Sequence, residues 1–309
     1  MNENEFKSDV LEGLSNSPKY LSSKYFYDDK GSAIFEEIMR MPEYYLTACE
    51  NEILQQQSDQ ILKAVNHIPN KIIEFGSGDG TKTKHLLKAL SKLNPDAIYI
   101  PIDISAQAIA RLTENILNDL PKQILKPVVG DYFSFRQNAT SPSLFLFLGS
   151  NVGNYTLEKS IELLKHFNGV MNQGDSILIG FDLQKSATKI LDAYNDQHGI
   201  TKRFNLNLLE RINRELDANF NLQQFDFFVS YSEKTGELKS YLKSLLDQSV
   251  LIQANNQTVS FSKGELIWTE LSQKYNLTQI EDLASASNFK VQQHFQDSQN
   301  YFTLSLWTK

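Results

Sequence analysis

The chain has 309 residues, a formal net charge of −7 and 41% apolar residues, among them 19 Phe and 13 Tyr. This is enough apolar material for one large core or two smaller ones, and the acidic balance argues against a nucleic-acid surface, which needs clustered Lys and Arg. The single cysteine, Cys49, excludes an internal disulfide or a cysteine metal cluster, and the five scattered histidines contain no His-x-x-x-His pair, so no metal is expected.

In chain order, the opening "MNENEFKSDVLEG" is polar and acidic, unlike a signal peptide. No apolar run approaches the ~20 residues of a membrane helix. The expectation is a soluble, cytoplasmic protein. Residues 1–60 read as an N-terminal extension. From Ile72 to Leu183 the pattern alternates: β-type runs at "KIIEF" (71–75), "AIYIPI" (97–102), "KPVVGDYF" (127–134), "SLFLFLG" (143–149) and "SILIGFDL" (176–183). Helical segments lie between them at 81–93, 105–120 and 156–171. This rhythm predicts βαβ units and a parallel sheet, and the near-continuous apolar strands suit one buried on both faces.

Residues 189–281 break the alternation. They hold a helical stretch (205–216), a strand-like "FDFFVSY" (225–231) and an ambiguous "LKSYLKSLL" (238–246). Two final strand candidates, "FKVQQHF" (289–295) and "YFTLSLW" (301–307), flank a polar turn and predict a hairpin at the sheet edge. The fold class is therefore α/β. The expected sheet domain is 61–188 with 282–309, and a second lobe comprises 1–60 and 189–281.

The chemistry concentrates in "EFGSGDGTKT" (74–83), between a predicted strand and a predicted helix. The spacing excludes a P-loop, and Thr83 stands where a dinucleotide motif has its third glycine. Gly76, Ser77 and Gly78 allow close backbone approach, although such turns also occur for purely structural reasons. Asp103 ends the second strand, where a carboxylate can accept both ribose hydroxyls. Asp131, ending the third, can accept from an adenine amino group, with Tyr132 or Phe133 stacking. Either aspartate alone could be a turn or N-cap residue. Glu74 fits a ligand carrying an amino acid, because a loop cradling pyrophosphate gains nothing from a nearby carboxylate. S-adenosylmethionine (SAM), a nucleoside bearing an amino acid and no phosphate, satisfies all of these.

Several further stretches carry a resemblance. "KYFYDDKGSAIFEEIMRMPEYYLTACENEIL" (24–54), "LGSNVGNYT" (148–156), "LDAYND" (191–196), "TKRFNLNLLERINREL" (201–216) and "GELIWTELSQKY" (264–275) strongly resemble the L-histidine Nα-methyltransferases of ergothioneine biosynthesis, which form hercynine. The matches keep their order from about residue 10 to the C-terminus. "KYFYD…PEYYLT" and "TELS" are their specific parts. The resemblance implies a Rossmann-like methyltransferase domain and a substrate-binding lobe. It places Tyr27 near the substrate amine and SAM as the catalytic residue, and Tyr44 near the imidazole. It assigns Asn154 and Tyr194 to the substrate carboxylate. Glu270 and Ser272 grip the imidazole nitrogens, with Phe204 packing nearby, and Lys82 helps to bind the methionine end of SAM. Without it, the tyrosines read as core residues, Glu270 as a surface strand carboxylate and Asn154 as a turn residue.

Two positions depart from the family pattern. Ser240 in "GELKSYLKS" replaces the usual methionine lining the ring pocket, and Trp268 replaces a commonly basic residue. Enzymes of the same fold methylate tryptophan-type substrates, and a ring-pocket change is where such a switch would show, but the retained Glu270 favours imidazole. The family precedent implies three successive transfers to a betaine. Alternatives are another aromatic amino acid as substrate, or a non-catalytic SAM- or histidine-binding sensor. A macromolecular substrate is disfavoured by the charge. A monomer is expected.

Overall fold

The computed structural model describes residues 3–136 and 142–309. The chain divides into two compact units. One comprises residues 1–45 and 185–272, the other residues 46–184 and 273–309. Residues 46–60 and 273–281, expected in the second lobe, group with the sheet.

The larger unit is built on the predicted sheet. From one edge, its order is Lys290–Gln296, Phe302–Thr308, Ser176–Asp182, Ser143–Phe147, Lys71–Phe75, Ile98–Asp103 and Ile124–Leu125, with Val128–Val129 pairing further along Ile98–Asp103. The strands are parallel except Phe302–Thr308, which runs antiparallel to both neighbours and forms the expected hairpin with Lys290–Gln296. Ser143–Phe147 and Ser176–Asp182 are buried along their whole length, which explains their uninterrupted apolar sequence. The predicted helices form at Thr83–Leu93, Ala106–Asp119 and Leu157–Val170, the last two N-capped by Ser105 and Thr156 side chains. The strand predicted over 127–134 shrinks to Val128–Val129. Gly130 and the Asp131 side chain, which accepts from the Phe133 amide, turn the chain instead into a short 3-10 segment at Tyr132–Ser134. Phe75, Phe145, Phe147, Phe167, Phe181 and Trp307 anchor the core.

Strand order reverses between Lys71–Phe75 and Ser143–Phe147: the chain goes from the first to Ile98–Asp103 on one side, then returns to pair on the other. In open α/β sheets such a switch point opens a crevice beyond the carboxyl ends of the strands, where ligands bind.

The smaller unit has its own sheet, ordered Lys19–Tyr20, Leu266–Gln273, Glu237–Ser244 and Phe225–Tyr231, and a separate hairpin of Gln248–Ile252 with Gln257–Phe261. The ambiguous stretch 238–246 is thus a strand, with every second side chain buried from Leu238 to Ser244. The helices Glu3–Ser15, Asp29–Met39 and Ile200–Leu216 supply Val10, Ile34, Ile38, Leu208 and Ile212 to its core. Gly31 is needed where two segments meet, since a Cβ there would stand 1.7 Å from the Phe26 carbonyl oxygen.

Candidate active site

In the sheet unit, the loop after Lys71–Phe75 turns on three left-handed glycines, with φ of 66° at Gly76, 56° at Gly78 and 70° at Gly80. Their roles differ. A Cβ at Gly80 would press to 2.8 Å from Leu112, whereas one at Gly78 would meet nothing within 4 Å. Gly80 therefore serves packing, and Gly78 keeps backbone open towards the crevice. The Ser77 hydroxyl is buried without a hydrogen-bond partner. Asp103 braces this turn: one oxygen accepts the Gly78 amide at 3.2 Å and the other the Ser105 amide at 2.9 Å. Asp131 caps the next strand's turn. Tyr132 is half-buried, with its hydroxyl 2.7 Å from that of Tyr155 and its phenol pKa pushed up first by burial and then by Tyr155. Phe133 is exposed beside it.

Glu74 lies beneath the loop, only 3% exposed. It accepts from the Thr83 hydroxyl at 2.8 Å and from the Tyr99 hydroxyl, tying its strand to the following helix and to the neighbouring strand. Desolvation pushes its carboxyl up to about 7, against the pull of Tyr99, Thr83 and Lys82. Lys82 is ion-paired with Glu50, on the helix Tyr45–Ala64. Across the switch point, the chain leaves Ser143–Phe147 through Gly149 and Ser150, both left-handed, into a short 3-10 segment ending at Asn154, which is exposed. Asn151 lies beside both turns: its amide nitrogen stands 3.5 Å from a Cβ built at Gly76 and 3.6 Å from one at Gly149.

In the smaller unit, the predicted aromatic residues gather. Tyr27 stacks edge-on to Phe35 at 5.4 Å and to Phe204 at 5.7 Å, Phe35 lies 6.3 Å from Tyr44, and Tyr44 lies 5.9 Å from Tyr194. The Tyr194 hydroxyl is 2.9 Å from Ser272 Oγ. Glu270 joins the group electrostatically. The Tyr27 phenol is pushed upward by desolvation and then by the Glu270 carboxylate. Tyr27 is 44% exposed, so solvent moderates the first cause. Ser240 is tied to the strand that carries Glu270. It is fully buried on the inward face of its strand with Leu238 and Leu242, its hydroxyl has no partner, and its carbonyl accepts from the Thr269 hydroxyl at 3.0 Å. Trp268 is half-buried, donating its indole N–H to the Glu270 carbonyl at 2.9 Å.

Sequence reasoning missed Glu50, Thr83, Tyr99, Asn151, Tyr155 and Phe35. Asn151 and Tyr155 stood inside one quoted motif, Phe35 and Glu50 inside another, and Thr83 at the end of the glycine stretch. Glu50 and Tyr99 gave no signal by residue type, since a helix glutamate and a strand tyrosine read as ordinary.

A glycine turn opening at the switch point, with acids ending the next two strands, defines a nucleoside-binding α/β enzyme of the SAM-dependent methyltransferase class. Over residues 6–309 the chain matches the family described as histidine-specific, SAM-dependent methyltransferases, and it belongs to that family. It is 35% identical over 309 residues to the histidine N-alpha-methyltransferase of Mycobacterium tuberculosis, with 98% of this chain and 94% of that protein covered. To the protein of the same name from Mycolicibacterium smegmatis it is 32% identical over 302 residues, covering 97% and 94%. It is also 28% identical over 283 residues to ergothioneine biosynthesis protein 1 of Schizosaccharomyces pombe, covering 88% of this chain and 36% of that longer protein.

The donor-side residues fit SAM: open backbone at Gly78, an orphaned buried hydroxyl at Ser77 and two strand-end carboxylates. Among the described residues, no group of His, Cys, Asp or Glu is arranged to hold a metal ion, and no helix is long and apolar enough to cross a membrane.

Proposed function

We propose that this protein transfers methyl groups from SAM to the α-amine of L-histidine, three in succession, giving the trimethyl betaine hercynine. The observation that carries the substrate is the set of Tyr27, Phe35, Tyr44, Tyr194 and Phe204 around Glu270 and Ser272 in one unit. An aromatic wall with one carboxylate and one hydroxyl suits an imidazole, whose two nitrogens need one acceptor and one adaptable partner. An apolar ring in that place would offer the Glu270 carboxylate no donor, whereas an imidazole does, so the carboxylate discriminates more strongly than ring size does.

On the donor side, Gly76, Ser77 and Gly78 admit the donor, Asp103 takes the ribose hydroxyls, Asp131 and Tyr132 the adenine, and Glu74 and Lys82 the amino-acid end. When bound, SAM supplies an electrophilic methyl carried on sulfonium. The chain's own residues contribute positioning and exclusion of water, which can supply much of the barrier lowering. Tyr27, with its phenol pKa raised, stays protonated near neutral pH and orients the amine through its oxygen, so the amine must arrive neutral or lose its proton to water. The family resemblance gives Tyr194, and separately Asn154, a role towards the substrate carboxylate. The chain acts as a cytoplasmic monomer on a small molecule, without nucleic acid.

Mass spectrometry of the protein incubated with SAM and an equimolar mixture of the common amino acids tests this reading. Histidine gaining up to three methyls, with the others untouched, is the expected result. Accumulation of a monomethyl product alone would remove the three-step claim. Methylation of tryptophan instead would keep the cofactor and move the substrate, and SAM binding without turnover would establish a sensor.

A further inference from the structure

Glu50 is 0% exposed, and both its oxygens are engaged within the sheet unit. Oε1 accepts the Gly149 amide at 2.7 Å, and Oε2 takes the Lys82 ammonium. Room for the carboxylate comes from Gly180, in the central strand Ser176–Asp182, where a Cβ would stand 2.5 Å from Oε1. A carboxylate removed from water is expensive unless paired and hydrogen-bonded, and a neutral side chain would fill the space more cheaply. What the charge accomplishes is specific. It fastens the residue leaving the glycine turn, Lys82, and the first glycine beyond Ser143–Phe147, Gly149, from either side of the switch point. Lys82 carries three donors, so its bond to Glu50 leaves others available to a ligand.

We propose that Glu50 is a positioning residue for the amino-acid end of the methyl donor, holding the Lys82 ammonium and the 149–151 turn where the donor's carboxylate and amine are received. This rests on the assignment of the glycine turn to SAM. Without Glu50, the Lys82 side chain, already 24% exposed, is free to swing into water, and Gly149 loses its acceptor.

The test compares two ligands by calorimetry: SAM, and 5′-methylthioadenosine, which has the nucleoside and sulfur but no amino-acid end. Glu50→Gln keeps the shape and the acceptor for Gly149 while removing the charge that holds Lys82. We expect its Kd for SAM to rise roughly ten- to a hundredfold, its Kd for methylthioadenosine to stay within about twofold, and its KM for histidine to stay unchanged. Lys82→Met should lose SAM affinity to a similar extent, and the double variant should lose little more. Equal weakening of both ligands would reduce Glu50 to a structural residue, and unchanged SAM affinity would overturn the proposal outright. Should Glu50→Gln fail to fold, Glu50→Asp, which retracts the charge by one methylene, permits the same comparison. Failure of the unaltered protein to bind either ligand would instead overturn the SAM assignment itself.

Discussion

The hydroxyls of Tyr194 and Ser272 meet at 2.9 Å, fastening the last residue of the helix Ala187–Tyr194 to the end of the strand Leu266–Gln273. The bond also sets the ring of Tyr194 against Tyr44. Tyr194→Phe and Ser272→Ala should each raise KM for histidine by about tenfold, the worth of one buried hydrogen bond, and leave the Kd for SAM unchanged. Because the two share a bond, the double variant should lose clearly less than the product of the single losses. Multiplicative losses in steady-state kinetics would show that the pair does not act as a unit.

Glu270 governs the choice of ring. Glu270→Ala should lower kcat/KM for histidine by roughly a hundredfold or more, because the imidazole loses a charged partner. The same change should improve kcat/KM for phenylalanine or tryptophan, whose rings offer the Glu270 carboxylate no matching donor. It should also lower the Tyr27 phenol pKa, since the Glu270 carboxylate helps to raise it. Competition assays with paired amino acids and ultraviolet titration of the phenol read these outcomes. Unaltered selectivity would place the ring elsewhere.

The sheet was legible because its strands are buried on both faces and so spell out near-continuous apolar runs, as at "SLFLF" and "SILIGF". The short strand Val128–Val129 was over-read, because "KPVVGDYF" has β-type composition but its Gly130 and Asp131 have the chemistry of a turn. The glycine turn and its two aspartates were readable from residue type and position alone. The aromatic group was not: Tyr27, Tyr44, Tyr194 and Phe204 come from segments far apart in sequence, and only the family resemblance joined them. Glu50 stayed hidden for a physical reason. Helix glutamates are nearly always solvated, and nothing in "ACENEIL" reveals that this one is fully enclosed, with Gly180 more than a hundred residues away making room for it.

The Ser240 hydroxyl is enclosed without a hydrogen-bond partner on the inward face of its strand. A hydroxyl buried in that way carries a desolvation penalty with no return. Ser240→Ala should therefore raise stability by about 1 kcal/mol in urea unfolding, with KM for histidine unchanged. A loss of stability would mean that the hydroxyl has a partner in solution. A change in KM would place Ser240 in the substrate's surroundings.

Glu74 makes the fold's stability depend on pH in the direction opposite to an ordinary ion-paired carboxylate. Its carboxyl titrates at about 7 in the folded protein against 4.5 for an ordinary glutamate, with desolvation the first cause. Between those values the folded state holds a proton that the unfolded chain has released. The stabilisation linked to that proton is complete below pH 4.5 and is lost as pH rises through 7. The shift corresponds to roughly 3 kcal/mol. Glu74→Gln keeps an oxygen for the Thr83 hydroxyl and cannot ionise, so it should be no more stable than the unaltered protein at pH 5. By pH 8.5 it should gain about 2–3 kcal/mol relative to it. Urea midpoints at the two pH values measure the difference directly. Parallel pH profiles for the two proteins would mean that Glu74 is ionised in both folded and unfolded chains. In the folded protein, the nearby Lys82 ammonium would then outweigh burial.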